Sequence, residues 1–150
     1  MNQVFGVLLS IAKQKNISLV NTVDPSIEIY QYYEPLKILV YNLVLNAINF
    51  SERGAVTVSA KAEETVLQLQ VKDDGVGMTP EQVHNILSEQ IIISSANIDK
   101  RKGNGLGYLI IKDLVKTTGS SLAIQSEKGK GTTVTITIPV LKPVKNDSGA

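Results

Sequence analysis

Cysteine is absent from the 150 residues, and histidine occurs once, as His84. Without thiols the chain builds no disulfide framework and no thiolate metal site, and one imidazole forms no cluster, so zinc chemistry is excluded. No apolar run approaches the ~20 residues of a membrane span. The opening MNQVFGVLLSIAKQKN lacks a small-residue cleavage site after its apolar part. Neither sign of charge dominates: the formal net charge is +1, which removes the electrostatic grounds for a nucleic-acid partner or for direct membrane contact. What the chain has is 43% hydrophobic residues, enough for one ordinary core. The expectation is a single cytoplasmic domain, monomeric in isolation, with no internal repeat.

Residues 2 to 15 form a weak amphipathic helical pattern, with Val4, Leu8 and Ile11 on one side, leading into the alternating NISLVN. After a loop, a long helix is expected from about Glu34 to Ser51, with Pro35 in its first turn. Beyond Gly54 the period changes to two. AVTVSAKA and TVLQLQVKDD, separated by two glutamates, read as a hairpin. A short helix follows, capped by Thr79 with Pro80 at its first position and Glu81 after it. Residues 89 to 105 show no period and read as a loop. The pattern Leu106, Leu109, Ile110, Leu114 predicts a helix to Thr118 that Gly119 ends. SLAIQS and TTVTITIP are two last strands around the turn EKGKG, and 141–150 is expected to be a disordered tail.

The long helix contains an oddity, NLVLNAINFS. Successive helical residues lie about 100° apart, so Asn42, Asn46 and Asn49 fall on one stripe. Leu36, Val40, Leu43 and Ala47 form the neighbouring stripe that packs on a sheet, with Leu39 and Phe50 bordering the amides. Such asparagines either face solvent and loop backbone or line a site at the rim of the core. A second oddity is Asp73, which shares strand parity with Leu67, Leu69 and Val71 and therefore points inward. A buried carboxylate costs several kcal/mol unless hydrogen-bonded, so either a turn at Gly75 satisfies it or a ligand does. In DDGVGM, Gly75 and Gly77 let a ligand come close to the backbone. GNGLG precedes a helix start with free N–H groups, and in GKGTTV the hydroxyl of Thr132 shares inward parity with Val134, Ile136 and Ile138. Each glycine cluster alone reads as readily as an ordinary turn. Neither a dinucleotide fingerprint nor a Walker P-loop is present at the required spacing.

In their order, NLVLNA, DDGVGM, GNGLG and GKGTT resemble the N, G1, G2 and G3 boxes of the ATP-binding catalytic domain of sensor histidine kinases, in the fold shared with gyrase, heat-shock chaperones and mismatch-repair ATPases. The resemblance covers about residues 16 to 139. It implies an α/β two-layer sandwich, a mixed and largely antiparallel sheet on helices, with ATP and Mg²⁺ as cofactors. Residues 16–140 would be the catalytic domain, and 1–15 a linker helix from a missing dimerisation domain.

The resemblance also implies roles. Asn46 would hold the metal through its side-chain oxygen, Asn42 would be the catalytic position at the phosphates, and Asn49 would line the nucleotide site. Asp73 would accept from the adenine amino group, directly and through a water shared with Thr132, and Phe50 would stack on the base. Gly75, Gly77 and Met78 belong to the same wall. Gly103, Gly105, Leu106 and Gly107 would bring lid backbone to the phosphates, with Lys100, Arg101 or Lys102 either adding charge or staying solvated. Hydrolytic members of the superfamily carry a glutamate where this chain has Asn42, and an amide cannot take a proton from water. The implied activity is γ-phosphoryl transfer to a histidine on a separate dimerisation domain, with a response regulator downstream and a parent kinase that can be membrane-anchored.

Three departures stand beside the resemblance. Asn49 replaces a usual basic residue, NILSEQIIISS lacks the aromatic of an F box, and nothing supplies a phosphoacceptor hairpin. A serine kinase of the anti-sigma type and a degenerate nucleotide-binding module are the alternatives.

Overall fold

The computed structural model describes residues 2–88 and 106–141, with side chains from Phe5 to Ser88 and from Gly107 to Leu141. The elements run α1 (Asn2–Gln14), β1 (Ile17–Asn21), α2 (Tyr33–Asn49), β2 (Gly54–Ala62), β3 (Val66–Asp73), α3 (Pro80–Leu87), α4 (Leu106–Thr117), β4 (Ser121–Ser126) and β5 (Thr132–Pro139). The strands make one sheet in the order β1-β2-β3-β5-β4, in which only β1 and β2 are parallel. That is the expected two-layer sandwich with a mixed, largely antiparallel sheet.

Period-two alternation sets the sheet's two faces. Val56 and Val58 of β2, Leu67, Leu69 and Val71 of β3, and Val134, Ile136 and Ile138 of β5 are buried against the helices. Gln70 and Thr135 lie on the other face, where Gln70 Nε2 donates to Thr135 Oγ1 at 3.3 Å. Over the inner face lies α2, which buries Leu39, Val40, Leu43, Val44, Ala47 and Ile48. This face is wider than the expected stripe, and Leu39 is core, not rim, because α1 and α4 flank α2 and cover its sides.

Two smaller helices keep part of the expected stripe, Leu8 and Ile11 in α1 and Leu114 in α4, and add residues to it. In α1 the buried residues are Phe5, Leu8 and Ala12, with Ile11 at their margin. The larger Phe5 ring draws the helix round, and α1 shares the core of the domain. In α4 the buried residues are Tyr108 and Ile111, whereas Ile110 is 42% exposed. The short α3 starts with a full capping box, since Thr79 Oγ1 accepts from Gln82 N and Gln82 Oε1 accepts from Thr79 N. Leu141, expected in the tail, donates its N–H to Tyr30 O at 2.7 Å. Residues 142–150 and the expected loop at 89–105 lie outside the described residues. No described helix is long and apolar enough to cross a membrane.

Candidate functional site

At the C-terminal end of α2 the chain turns through Phe50, whose carbonyl accepts from Val76 N at 3.3 Å, so the helix end is tied to the DDGVGM loop. The same helix end is held from the other side. Lys15 Nζ donates to Ile48 O at 2.9 Å, which also accepts from Ser51 N at 3.2 Å, and to Asn49 O at 3.2 Å, a cation on the last carbonyls of the helix.

Asp73 is the last residue of β3 and is 5% exposed. Its partner across the antiparallel ladder is Thr132, 8% exposed, at the start of β5. Burial is the main influence on the Asp73 carboxyl and lifts it above the ordinary value of 3.8; the Gly75 and Thr132 N–H groups pull it down, and Asp74 pushes it up. Both sequence readings of Asp73 thus meet in one group: Oδ1 accepts from Gly75 N at 2.8 Å, the turn contact, while the residue still borders a cavity. Its neighbour Asp74 faces out and caps β2, accepting from Ala55 N at 3.1 Å.

That cavity measures about 20 Å³, room for about one water. Asn46, Phe50, Asp73, Gly77, Met78 and Thr132 meet around it, as expected, and so does Tyr108. Gly77 has φ +69°, and a Cβ there would collide with the Glu127 carbonyl, so only glycine lets the loop pass so close to the β4–β5 turn. Gly107 is needed for space: a Cβ there would overlap the Asn46 side-chain amide. Asn46 itself is half-buried, and its Nδ2 is a buried polar atom without a partner among the described residues.

The remaining asparagines lie outside the cavity lining. Asn42 Nδ2 donates back to Ile38 O at 2.8 Å, within its own helix. Asn49 is half-buried. Lys100, Arg101, Lys102, Gly103 and Gly105 lie outside the described residues, and Leu106 is described only as the first residue of α4.

Two residues add to the sequence reading: Tyr108, in the cavity lining, and Ser126, which is outside the lining and reaches it through Thr132. Tyr108 is 6% exposed, and its phenol is pushed above its ordinary value, first by burial and then by the Asp73 charge. Its spacing to Ile111 and Val115 is as helical as the aliphatic pattern that was favoured. Ser126 accepts from Met78 N at 2.7 Å and lies 2.7 Å from Thr132 Oγ1. Its parity with Leu122 and Ile124 was the available signal.

Comparison with known proteins puts these motifs in a family. Residues 32–142 match the family described as histidine kinase-, DNA gyrase B-, and HSP90-like ATPase. The chain is 30% identical over 148 residues to the autoinducer 2 sensor kinase/phosphatase LuxQ of Vibrio harveyi, covering 93% of this chain and 17% of that protein. It is 32% identical over 130 residues to the histidine protein kinase SaeS of Staphylococcus epidermidis, covering 84% of this chain and 37% of the relative. The chain therefore spans well under half the length of either. Its fold is that of full-length ShkA, solved in complex with AMPPNP, at a TM-score of 0.79 and 24% identity over 95% of this chain and 29% of that one. With the four motifs in order along the sequence and the family match spanning α2 to β5, the chain belongs to the histidine kinase-, DNA gyrase B- and HSP90-like ATPases, as a catalytic ATPase domain of the sensor histidine kinase kind.

Proposed function

We propose that this chain holds Mg-ATP and passes the γ-phosphoryl group to a histidine on a separate dimerising domain, from which a response regulator takes it. The observation that carries this reading is the pairing of Asp73 and Thr132 at a cavity that also has Leu43, Ala47, Phe50 and Met78 in its walls; with room for about one water as it stands, it admits a base only when these side chains give way. A carboxylate held there against the cost of burial is satisfied by a ligand that donates N–H, and the adenine amino group is such a donor. Phe50 and Met78 offer apolar surface for the ring. Gly75 and Gly77 let the loop behind that wall pass close to the Phe50 and Glu127 carbonyls. In the same reading Asn49 and the segment from Lys100 to Gly107 serve the phosphate end.

Magnesium suits the residues present. Asn46 carries a buried amide atom without a partner among the described residues, and because amide O and N interchange by a flip, that atom can be the oxygen a hard cation takes. Asn46 would hold the ion, and the remaining ligands would come from phosphate and water, as magnesium commonly takes them. When bound it neutralises phosphate charge. Asn42 has no proton-accepting group for water, and its Nδ2 is engaged by Ile38 O. The domain thus positions ATP for transfer without activating hydrolysis.

Radiolabelled ATP tests the reading. Label that appears on the parent kinase's hairpin and is lost in acid is the expected result. Acid-stable label on a protein partner would instead identify a serine kinase, and tight ATP binding without transfer a binding module. Label on His84, exposed on α3, would remove the need for a separate acceptor.

A further inference from the structure

Ser126, the last residue of β4, joins three parts of the site through one hydroxyl. Its Oγ accepts from Met78 N at 2.7 Å, donates to Gly131 O at 3.0 Å and lies 2.7 Å from Thr132 Oγ1. A hydroxyl has one proton and two lone pairs. With the Ser126 proton on the Gly131 carbonyl, the contact to Thr132 uses the Thr132 proton, and Thr132 is the donor. All three hydrogen-bonding positions of Ser126 are then filled. Thr132 is left with lone pairs alone for the cavity, and Asp73, its partner across the ladder, is a carboxylate that only accepts.

We infer that Ser126 is a specificity-determining positioning residue for the base: by taking the Thr132 proton it keeps the polar end of the cavity acceptor-only, which selects a ligand edge bearing an amino group and rejects one bearing a carbonyl oxygen. The inference rests on the nucleotide reading of the cavity. An adenine amino group offers two N–H donors to that end. The six-position oxygen of guanine or hypoxanthine meets only lone pairs there, and the unfavourable contact with a desolvated carboxylate makes the discrimination steep. Without Ser126, the Thr132 proton is free to turn into the cavity, where it can meet a carbonyl oxygen or the Asp73 carboxylate.

The test is calorimetry of ATP, GTP and inosine triphosphate on the whole chain and on Ser126→Ala and Ser126→Thr. The unaltered chain is expected to prefer ATP over both others. Ser126→Ala should narrow that preference by about tenfold, the weight of one hydrogen bond. Loss of the Met78 N partner affects all three ligands alike and cancels in the ratio. Ser126→Thr, which keeps the hydroxyl, should retain the preference. A Ser126→Ala protein that weakens all three by one factor overturns the inference alone, leaving Ser126 as a turn residue. Equal binding of ATP and inosine triphosphate by the unaltered chain overturns it without any substitution. If that chain binds none of the three, the nucleotide reading falls and this inference with it.

Discussion

Asp73 and Thr132 stand directly opposite each other on β3 and β5, so a carboxylate and a hydroxyl face the same cavity from neighbouring strands. Sheet register makes this juxtaposition robust, since a one-residue slip of either strand would carry its polar residue to the other face together with that strand's whole apolar set.

The first prediction is a pH dependence. Because the folded-state value of Asp73 is raised above 3.8, the native chain binds its proton more tightly than the unfolded chain. Its contribution to stability therefore falls as pH rises from the unfolded value to the folded one. Asp24, lowered by its bonds to Ser26, acts in the opposite direction, but equally in the parent and in Asp73→Asn. The difference in stability between these two proteins, from denaturant melts across the acid range, should isolate the Asp73 slope. ATP affinity should show the opposite trend, rising with pH as the acceptor carboxylate forms, and Asp73→Asn should bind ATP weakly at every pH.

The second prediction concerns Gly107 and Asn46. A methyl group at position 107 would overlap the Asn46 amide, so either the first turn of α4 or the amide has to move. Gly107→Ala should cost about 1–3 kcal/mol of stability through overpacking. It should weaken Mg-ATP roughly ten- to a hundredfold through misplacement of the phosphate end. Metal-free ADP should lose far less. Equal losses for the two ligands would show that Asn46 serves the fold and not the metal.

Much of this was legible in advance because it depends on local pattern. The parity of Asp73 and Thr132 followed from the alternation of β3 and β5 alone, and the asparagine oddity of α2 followed from its period. Which face of α4 turns inward was not legible. Leu109, Ile110 and Leu114 make as good an apolar stripe as Tyr108, Ile111 and Val115; Leu114 does pack on the core, whereas Ile110 is exposed and Tyr108 and Ile111 are buried where Gly107 lets the helix close on Asn46. In α1 the local pattern gives Leu8 and Ile11 but not Phe5 and Ala12, which fit against a neighbour that the pattern does not name. Ser126 escaped notice because its importance lies in which proton it takes, and that depends on Gly131 and Met78 being brought to it by the fold.

The third prediction tests what holds the asparagine helix in place. Lys15 bonds two carbonyls at the end of α2, one turn from Asn46. Lys15→Met keeps much of the side-chain stem but removes the charge, and should cost about 1–2 kcal/mol in urea denaturation. Lys15→Arg should recover part of this. Since Phe50 N and Ser51 N donate to the last carbonyls of α2, their amide exchange should accelerate in Lys15→Met ahead of the rest of the helix.

The fourth prediction uses a void at the opposite end of α2. An apolar cavity of about 140 Å³ lies between the 22–32 loop and the sheet, lined among others by Val23, Ile27, Leu36, Val40, Ala60 and Leu69. Side chains around such a void lack contact atoms on one side and forgo dispersion attraction. Ala60 has the inward parity of Val56 and Val58, so extra methyl groups there enter the cavity, and a β-branched residue suits a strand. Ala60→Val should raise stability by about 0.5–2 kcal/mol. The signature is a higher urea midpoint at unchanged slope. Because the cavity lies toward the start of α2 and shares no lining residue with the one at Asp73, nucleotide affinity should stay as it is. A lower midpoint would mean that the loop already packs on Ala60 too closely to admit the added carbons.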